Sequence, residues 1–183
     1  MGTNYWRKIN DFPYSRVMYA PGVFVSGTVN WYASNGMSSF SCAIVSLDLE
    51  TESYQKLSWP DYGKDYRILT LRVFGDCLCI VTYNYMFLDV WIMKEYGNIE
   101  SLTKLYSVPF LRNRNWGIYP YPTAIYISED DQVLFDYHEL TSSKLTLAVY
   151  DSKNGTVKIP EIQNTNGWMD PEVYVESLIS PCS

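Results

Sequence analysis

Clustered positive charge is what this sequence most clearly lacks. Its 14 Lys and Arg are outnumbered by 20 Asp and Glu, giving a formal charge of -6 spread along the chain. The basic stripe or patch with which proteins grip nucleic acid is therefore excluded. No uninterrupted apolar stretch approaches the roughly eighteen residues of a membrane-spanning helix. Histidine is reduced to one residue, His138. That excludes a histidine-cluster metal centre and leaves any Ser-His-Asp triad hanging on a residue in the strand-end sequence Asp136-Tyr137-His138-Glu139-Leu140, where a structural or solvent-facing role is expected. Cysteine is scarce: Cys42, Cys77, Cys79 and Cys182. Cys77 and Cys79 alternate along an apolar run, which reads as buried thiols on one face rather than a metal or redox pair. No glycine loop of the phosphate-cradling kind is present. The start, Met1-Gly2-Thr3-Asn4-Tyr5-Trp6, lacks the apolar core of a signal peptide, and Trp6 stands where a myristoylation signal needs Ser or Thr. No export or lipid anchor is expected, which points to the cytoplasm, the nucleus or both.

What is present argues for strands. The 183 residues suit one domain, and 47% apolar against 19% charged residues excludes intrinsic disorder. Aromatics reach 16%, with 17 Tyr and 6 Trp, an excess that favours β-structure and interaction surfaces over helical bundles.

A short pattern recurs: an apolar residue, a polar one, Lys, then Ile or Leu, with Pro soon after. It occurs at Trp6-Arg7-Lys8-Ile9, Tyr54-Gln55-Lys56-Leu57, Leu102-Thr103-Lys104-Leu105 and, more weakly, Thr156-Val157-Lys158-Ile159, the lysines being 48, 48 and 54 residues apart. A period near fifty is that of kelch-like propeller blades. Each period subdivides into four short runs separated by Gly, Asp and Asn turn signals, as a four-stranded antiparallel blade requires.

Twelve strands are predicted. The first blade (22–60) takes Val23 to Val25, Thr28 to Ala33, Cys42 to Asp48 and Ser53 to Leu57. The second (67–109) takes Ile68 to Phe74, Cys77 to Tyr83, Phe87 to Met93 and Leu102 to Tyr106. The third (123–160) takes Thr123 to Ile127, Gln132 to Tyr137, Leu145 to Asp151 and Thr156 to Ile159. Their fourth strands centre on Lys56, Lys104 and Lys158, and Trp31 and Trp91 are expected to be buried. No amphipathic helix competes. Asn154-Gly155-Thr156 fits a glycosylation sequon, but Asn-Gly between apolar runs is also a strong hairpin signal, and the turn is expected. Residues 1–13, with Tyr5 to Ile9, match the closing strand of a blade whose first three strands are absent. Val173 to Ile179, within 172–183, reads as a lone closing strand. The expected fold is an all-β, kelch-like propeller arc of about three four-stranded blades plus orphan terminal strands. Either upstream sequence completes the ring or the arc closes by another means.

Several motifs carry a resemblance. They are Trp6-Arg7-Lys8-Ile9 with Asp11-Phe12-Pro13, Gly22-Val23-Phe24-Val25-Ser26-Gly27-Thr28-Val29-Asn30-Trp31, Ile44-Val45-Ser46-Leu47-Asp48-Leu49, Gly75-Asp76-Cys77-Leu78-Cys79, Asp89-Val90-Trp91-Ile92-Met93 and Glu176-Ser177-Leu178. In this order the series resembles the plant F-box-associated interaction domain, the C-terminal half of F-box/kelch-repeat proteins. The resemblance implies a substrate-recognition module of an SCF-type ubiquitin ligase, binding a target protein. A Skp-type adaptor and cullin would be partners only if an F-box were supplied, since the F-box helices are not among these residues. An open blade face is expected to drive self-association.

Enzyme chemistry finds little footing. Ser46-Leu47-Asp48 begins like the Asp-box of propeller glycosidases, but Glu50 takes the glycine position, so Asp48 is expected to cap a turn. Glu129, Asp130 and Asp131 form an acidic hairpin tip, read as solvated rather than calcium-binding. No catalytic residue, metal or cofactor is expected. The candidate partner surface is in the longer connections: Arg112, Arg114, Trp116, Tyr119 and Tyr121 between the second and third blades, and Tyr62 and Tyr66 between the first and second. Trp, Tyr and Arg dominate interface hot spots, and long ordered loops tend to be functional. The alternative for Trp116 and the tyrosines is a plug between blades. A glycan-binding propeller, stacking sugars on exposed aromatics, is the second functional reading.

Overall fold

The structure, a computed structural model, describes residues 6, 8–18, 21–36, 42–57, 67–83, 86–109, 123–128, 130–138 and 145–161. The chain divides into two compact units, Met1–Phe110 and Leu111–Ser183.

The first unit holds two blades. The first is a five-stranded sheet of β1 (Arg16–Val17), β2 (Val23–Val25), β3 (Thr28–Ser34), β4 (Cys42–Asp48) and β5 (Ser53–Leu57). Its inner position is shared. β2 pairs with Thr28 to Asn30 of β3, while β1 pairs with Ala33 and Ser34 farther along, both antiparallel. The innermost strand is thus split by an excursion around Pro21-Gly22, and Met18 N–H still reaches the Tyr32 carbonyl at 2.7 Å. The sequence pattern starts this blade at Val23 and gives no sign of β1, whose two residues are too few to show an alternation. A side chain at Gly22 would place its Cβ 2.5 Å from Trp31 Nε1, so the excursion needs glycine there for close approach.

The second blade is β6 (Arg67–Phe74), β7 (Cys77–Tyr83), β8 (Phe87–Met93) and β9 (Leu102–Pro109), paired in sequence order and all antiparallel. β4, β7 and β8 read as near-continuous apolar runs because both of their faces are covered. Between the blades, Val25, Ile44 and Leu57 of the first pack with Leu71, Leu78, Ile80, Trp91 and Met93 of the second in one buried cluster.

Two expectations at the start of the chain change. Trp6, Lys8 and Ile9 lie in no strand, and Trp6 is fully exposed. Instead the segment lies over a sheet face: the Phe12 ring packs edge-on against Trp31 and Tyr54, each at 5.6 Å between centroids. Lys8 and Asp11 form a 2.8 Å ion pair in solvent, and Pro13, which has no N–H, cannot continue a ladder. Trp91 is buried as expected, whereas Trp31 is half-buried, because its cover is this aromatic contact rather than a packed blade.

The second unit holds the third blade: β10 (Thr123–Ile127), β11 (Gln132–His138), β12 (Leu145–Asp151) and β13 (Thr156–Lys158), again in sequence order. Ile127, Val133, Phe135 and Ala148 share one buried face through the pairs Ile127↔Val133 and Phe135↔Ala148. In all three blades the outer strand carries the recurring lysine: Lys56 on β5, Lys104 on β9, Lys158 on β13. Pro109 ends β9, Pro160 follows β13, and Pro60 and the strand expected over Val173 to Ile179 lie outside the described residues.

Candidate functional site

Antiparallel order gives each blade two rims. In the first unit one rim carries the tight turns: Ser26-Gly27, 49–52, Gly75-Asp76 and 94–101. On the other rim are the start of β2, the end of β3 and start of β4, the end of β5, the start of β6, the end of β7 and start of β8, and the end of β9. The end of β5 and the start of β6, which the segment 58–66 with Tyr62 and Tyr66 joins in sequence, are both on that second rim. The segment 110–122, which contains Arg112, Arg114, Trp116, Tyr119 and Tyr121, leaves from it after Pro109. All seven residues lie outside the described residues; what the strands define is the rim from which their segments depart.

The turn rim is built differently, and its charge is one-sided. Its turns and their flanks carry Asp48, Glu50, Glu52, Asp76, Glu95 and Glu100 against one base, Lys94. The Asp48 carboxylate accepts from the backbone N–H groups of Thr51 (2.8 Å) and Glu50 (2.9 Å). These bonds, Thr51 foremost, hold its carboxyl below the ordinary carboxylate range. Asp48 is thus the turn residue that the sequence suggested. Asp151 repeats the device in the third blade, accepting from Lys153 and Asn154, with the Asn154 side chain the main cause of its lowered pKa.

The second blade replaces this cap with a longer connection ending in a short 3-10 turn, Ile99–Ser101. The longer loop carries Tyr96 to the first blade. Its hydroxyl donates to Asn30 Oδ1 at 2.7 Å and so accepts from Ser46 Oγ. Asn30 is fully buried; its amide donates to Thr28 Oγ1 and to the Val23 carbonyl. Every polar atom of this cross-blade network has a partner, as a buried network must. Because Asn30 and Ser46 lie toward the turn end of their strands, the bond also shows that the two blades point the same way. From the sequence Tyr96 is a turn residue and nothing more; the one signal of its role is an aromatic in a connection longer than its counterparts.

A second buried group surrounds Asp89, whose side chain is 1% exposed. It pairs with Lys104 at 2.8 Å and accepts from Ser107 Oγ. The Lys104 ammonium lies 4.7 Å from the Trp91 ring centroid, and Trp91 Nε1 donates to Thr82 Oγ1 at 2.9 Å. This arrangement compensates a buried carboxylate and holds a core tryptophan; it presents no activated nucleophile. Burial pushes the Cys79 thiol up to about 12, so it stays protonated and inert. Among the described residues no group of three or more His, Cys, Asp or Glu is arranged to hold a metal.

The family model for the F-box associated beta propeller domain matches residues 1–181. The chain belongs to that family. Among curated proteins of Arabidopsis thaliana, this F-box associated domain is 31% identical to F-box/kelch-repeat protein At3g23880 over 182 residues, 96% of this chain and 46% of that protein. It is 27% identical to F-box protein At3g07870, over 94% of this chain and 44% of that protein. To F-box protein CPR1 it is 25% identical, over 98% of this chain and 46% of that protein. The chain spans about half the length of these relatives. No solved structure matches it.

Proposed function

We propose that this domain recognises a target protein for an SCF-type ubiquitin ligase and performs no chemistry itself. Membership of the F-box associated family carries the reading. Adaptor and cullin enter only through an F-box joined to the domain, and ubiquitin is transferred by other subunits. Residence in cytoplasm or nucleus goes with that role.

The target binds at the rim from which 58–66 and 110–122 depart, with Trp116, Tyr119, Tyr121, Tyr62 and Tyr66 as aromatic anchors and Arg112 and Arg114 as polar handles. The contrast between the rims supports this. Tight turns closed by their own hydrogen bonds leave few groups for a partner, and their negative field repels an acidic one. The longer connections are rich in the residue types of hot spots.

Pulldown from plant tissue, with the domain fused to an F-box, tests the reading. A target captured by the wild type is expected to be lost with Trp116→Ala and weakened with Tyr62→Ala, while the melting temperature holds. Retention of every captured protein by both variants, or selective binding on a glycan array instead, overturns it.

A further inference from the structure

We propose that Asn154 is a self-modifying site, converted without an enzyme to aspartate and isoaspartate, and that the conversion releases the outer strand of the third blade. The chain has Asn-Gly pairs at 35–36, 154–155 and 166–167, the last outside the described residues. Glycine after asparagine favours cyclisation because no Cβ shields the attacking nitrogen. The two described pairs are held differently.

At the first pair the reacting groups are occupied. Asn35 Oδ1 accepts from Ser15 N–H at 3.0 Å, and Gly36 N–H donates to Ser34 Oγ at 3.2 Å. The Gly36 carbonyl also accepts from Arg16 and Ser34. At the second pair, Asn154 and Gly155 are both exposed, and Gly155 N–H has no hydrogen-bond partner among the described residues. Among the described residues Asn154 is tethered only through nitrogen: its backbone N–H and its Nδ2 donate to Asp151, the latter at 2.7 Å. Its exposed side-chain carbonyl accepts no hydrogen bond among the described residues.

The reaction needs only water. Solvent base removes the Gly155 amide proton as that nitrogen attacks Asn154 Cγ. The Cγ–Nδ2 bond breaks, ammonia leaves and a five-membered imide closes. Water then opens the ring at either carbonyl, giving aspartate or isoaspartate. In the aspartate product a second carboxylate stands where Nδ2 donated to Asp151, and repulsion replaces a hydrogen bond. The isoaspartate product lengthens the backbone inside the turn. The strand that follows, β13, is held by three pairs only: Val149↔Lys158, Tyr150↔Val157 and Asp151↔Thr156.

Incubating the whole chain at mildly alkaline pH and following tryptic peptides by mass spectrometry tests this, because Lys153 and Lys158 bracket Asn154. Asn154 is expected to convert about fivefold faster than Asn35, the factor corresponding to one net hydrogen bond of about 1 kcal/mol on the nucleophile. In urea the two rates are expected to converge. Equal rates in the folded chain, or the same preference in urea, overturn the site. Amide exchange in Asn154→Asp should accelerate at residues 156–158 relative to Asn154→Gln; unchanged exchange overturns the strand release.

Discussion

The second blade and its two neighbours in sequence use the same outer-edge elements for different ends. In the first and third blades the turn into the outer strand is closed by an aspartate, Asp48 or Asp151, that caps its own backbone, and the following lysine, Lys56 or Lys158, is exposed. In the second blade the turn is extended, Tyr96 leaves it to bond the first blade, and Lys104 turns in to a buried carboxylate. A repeat motif therefore specifies a strand and its edge, while the job of its polar residues is assigned by the groups the fold sets beside them, such as Asp89 on the strand next to Lys104.

Removing the charge at the recurring lysine should break the equivalence most visibly. Lys104→Met is expected to destabilise the domain by about 2–3 kcal/mol, somewhat less than a fully buried pair because the lysine is partly exposed. Lys56→Met should change stability by less than about 0.5 kcal/mol. Chemical denaturation of the two variants side by side checks both, and equal effects would show that Asp89 needs no counter-charge.

Tyr96→Phe comes next. It leaves Asn30 Oδ1 buried without its donor, at about 1–3 kcal/mol. A double-mutant cycle with Asn30→Ala should give a coupling of at least about 0.5 kcal/mol. An additive cycle would mean that the network does not join the blades.

The tight turns themselves offer a smaller effect of opposite sign. Position four after the capping aspartate has positive φ in both: 54° at Glu52 and 62° at Gly155. Glycine takes this conformation freely and glutamate does not, so Glu52→Gly should stabilise by about 0.5–1 kcal/mol after the unfolded-state entropy is counted. Thermal melts that fall rather than rise would show that the Glu52 side chain does more than tolerate the turn.

The smallest expected effect is confined to acid. Asp48 and Asp151 have folded pKa values below the usual 3.8, so their hydrogen bonds contribute above that value and the contribution is lost as pH falls through the folded pKa. Replacing both with Asn should flatten the loss of stability below about pH 4 while leaving the slope above about pH 5 unchanged. Stability measured by denaturant titration across pH 2 to 6 checks it.

Strand identity was the part of this protein written locally. Cys42–Asp48, Cys77–Tyr83, Phe87–Met93 and Leu145–Asp151 follow from apolar runs bounded by Gly, Asp and Asn, and the capping role of Asp48 from its place before a turn, because a strand's hydrophobic pattern and a turn's hydrogen bonds involve residues a few positions apart. The family, too, was legible in the order of motifs, and the aromatic and arginine-bearing segments proposed for recognition were picked out by residue type. What only the tertiary structure decided are the relations between distant residues: β1 completing a split inner strand, Phe12 lying across Trp31 and Tyr54 instead of forming a strand, Lys104 paired with the buried Asp89, and Tyr96 meeting Asn30 across 66 positions of chain. Each depends on which groups the folded strands bring together, within one blade or, for Tyr96 and Asn30, across two, and no periodicity along the chain encodes that.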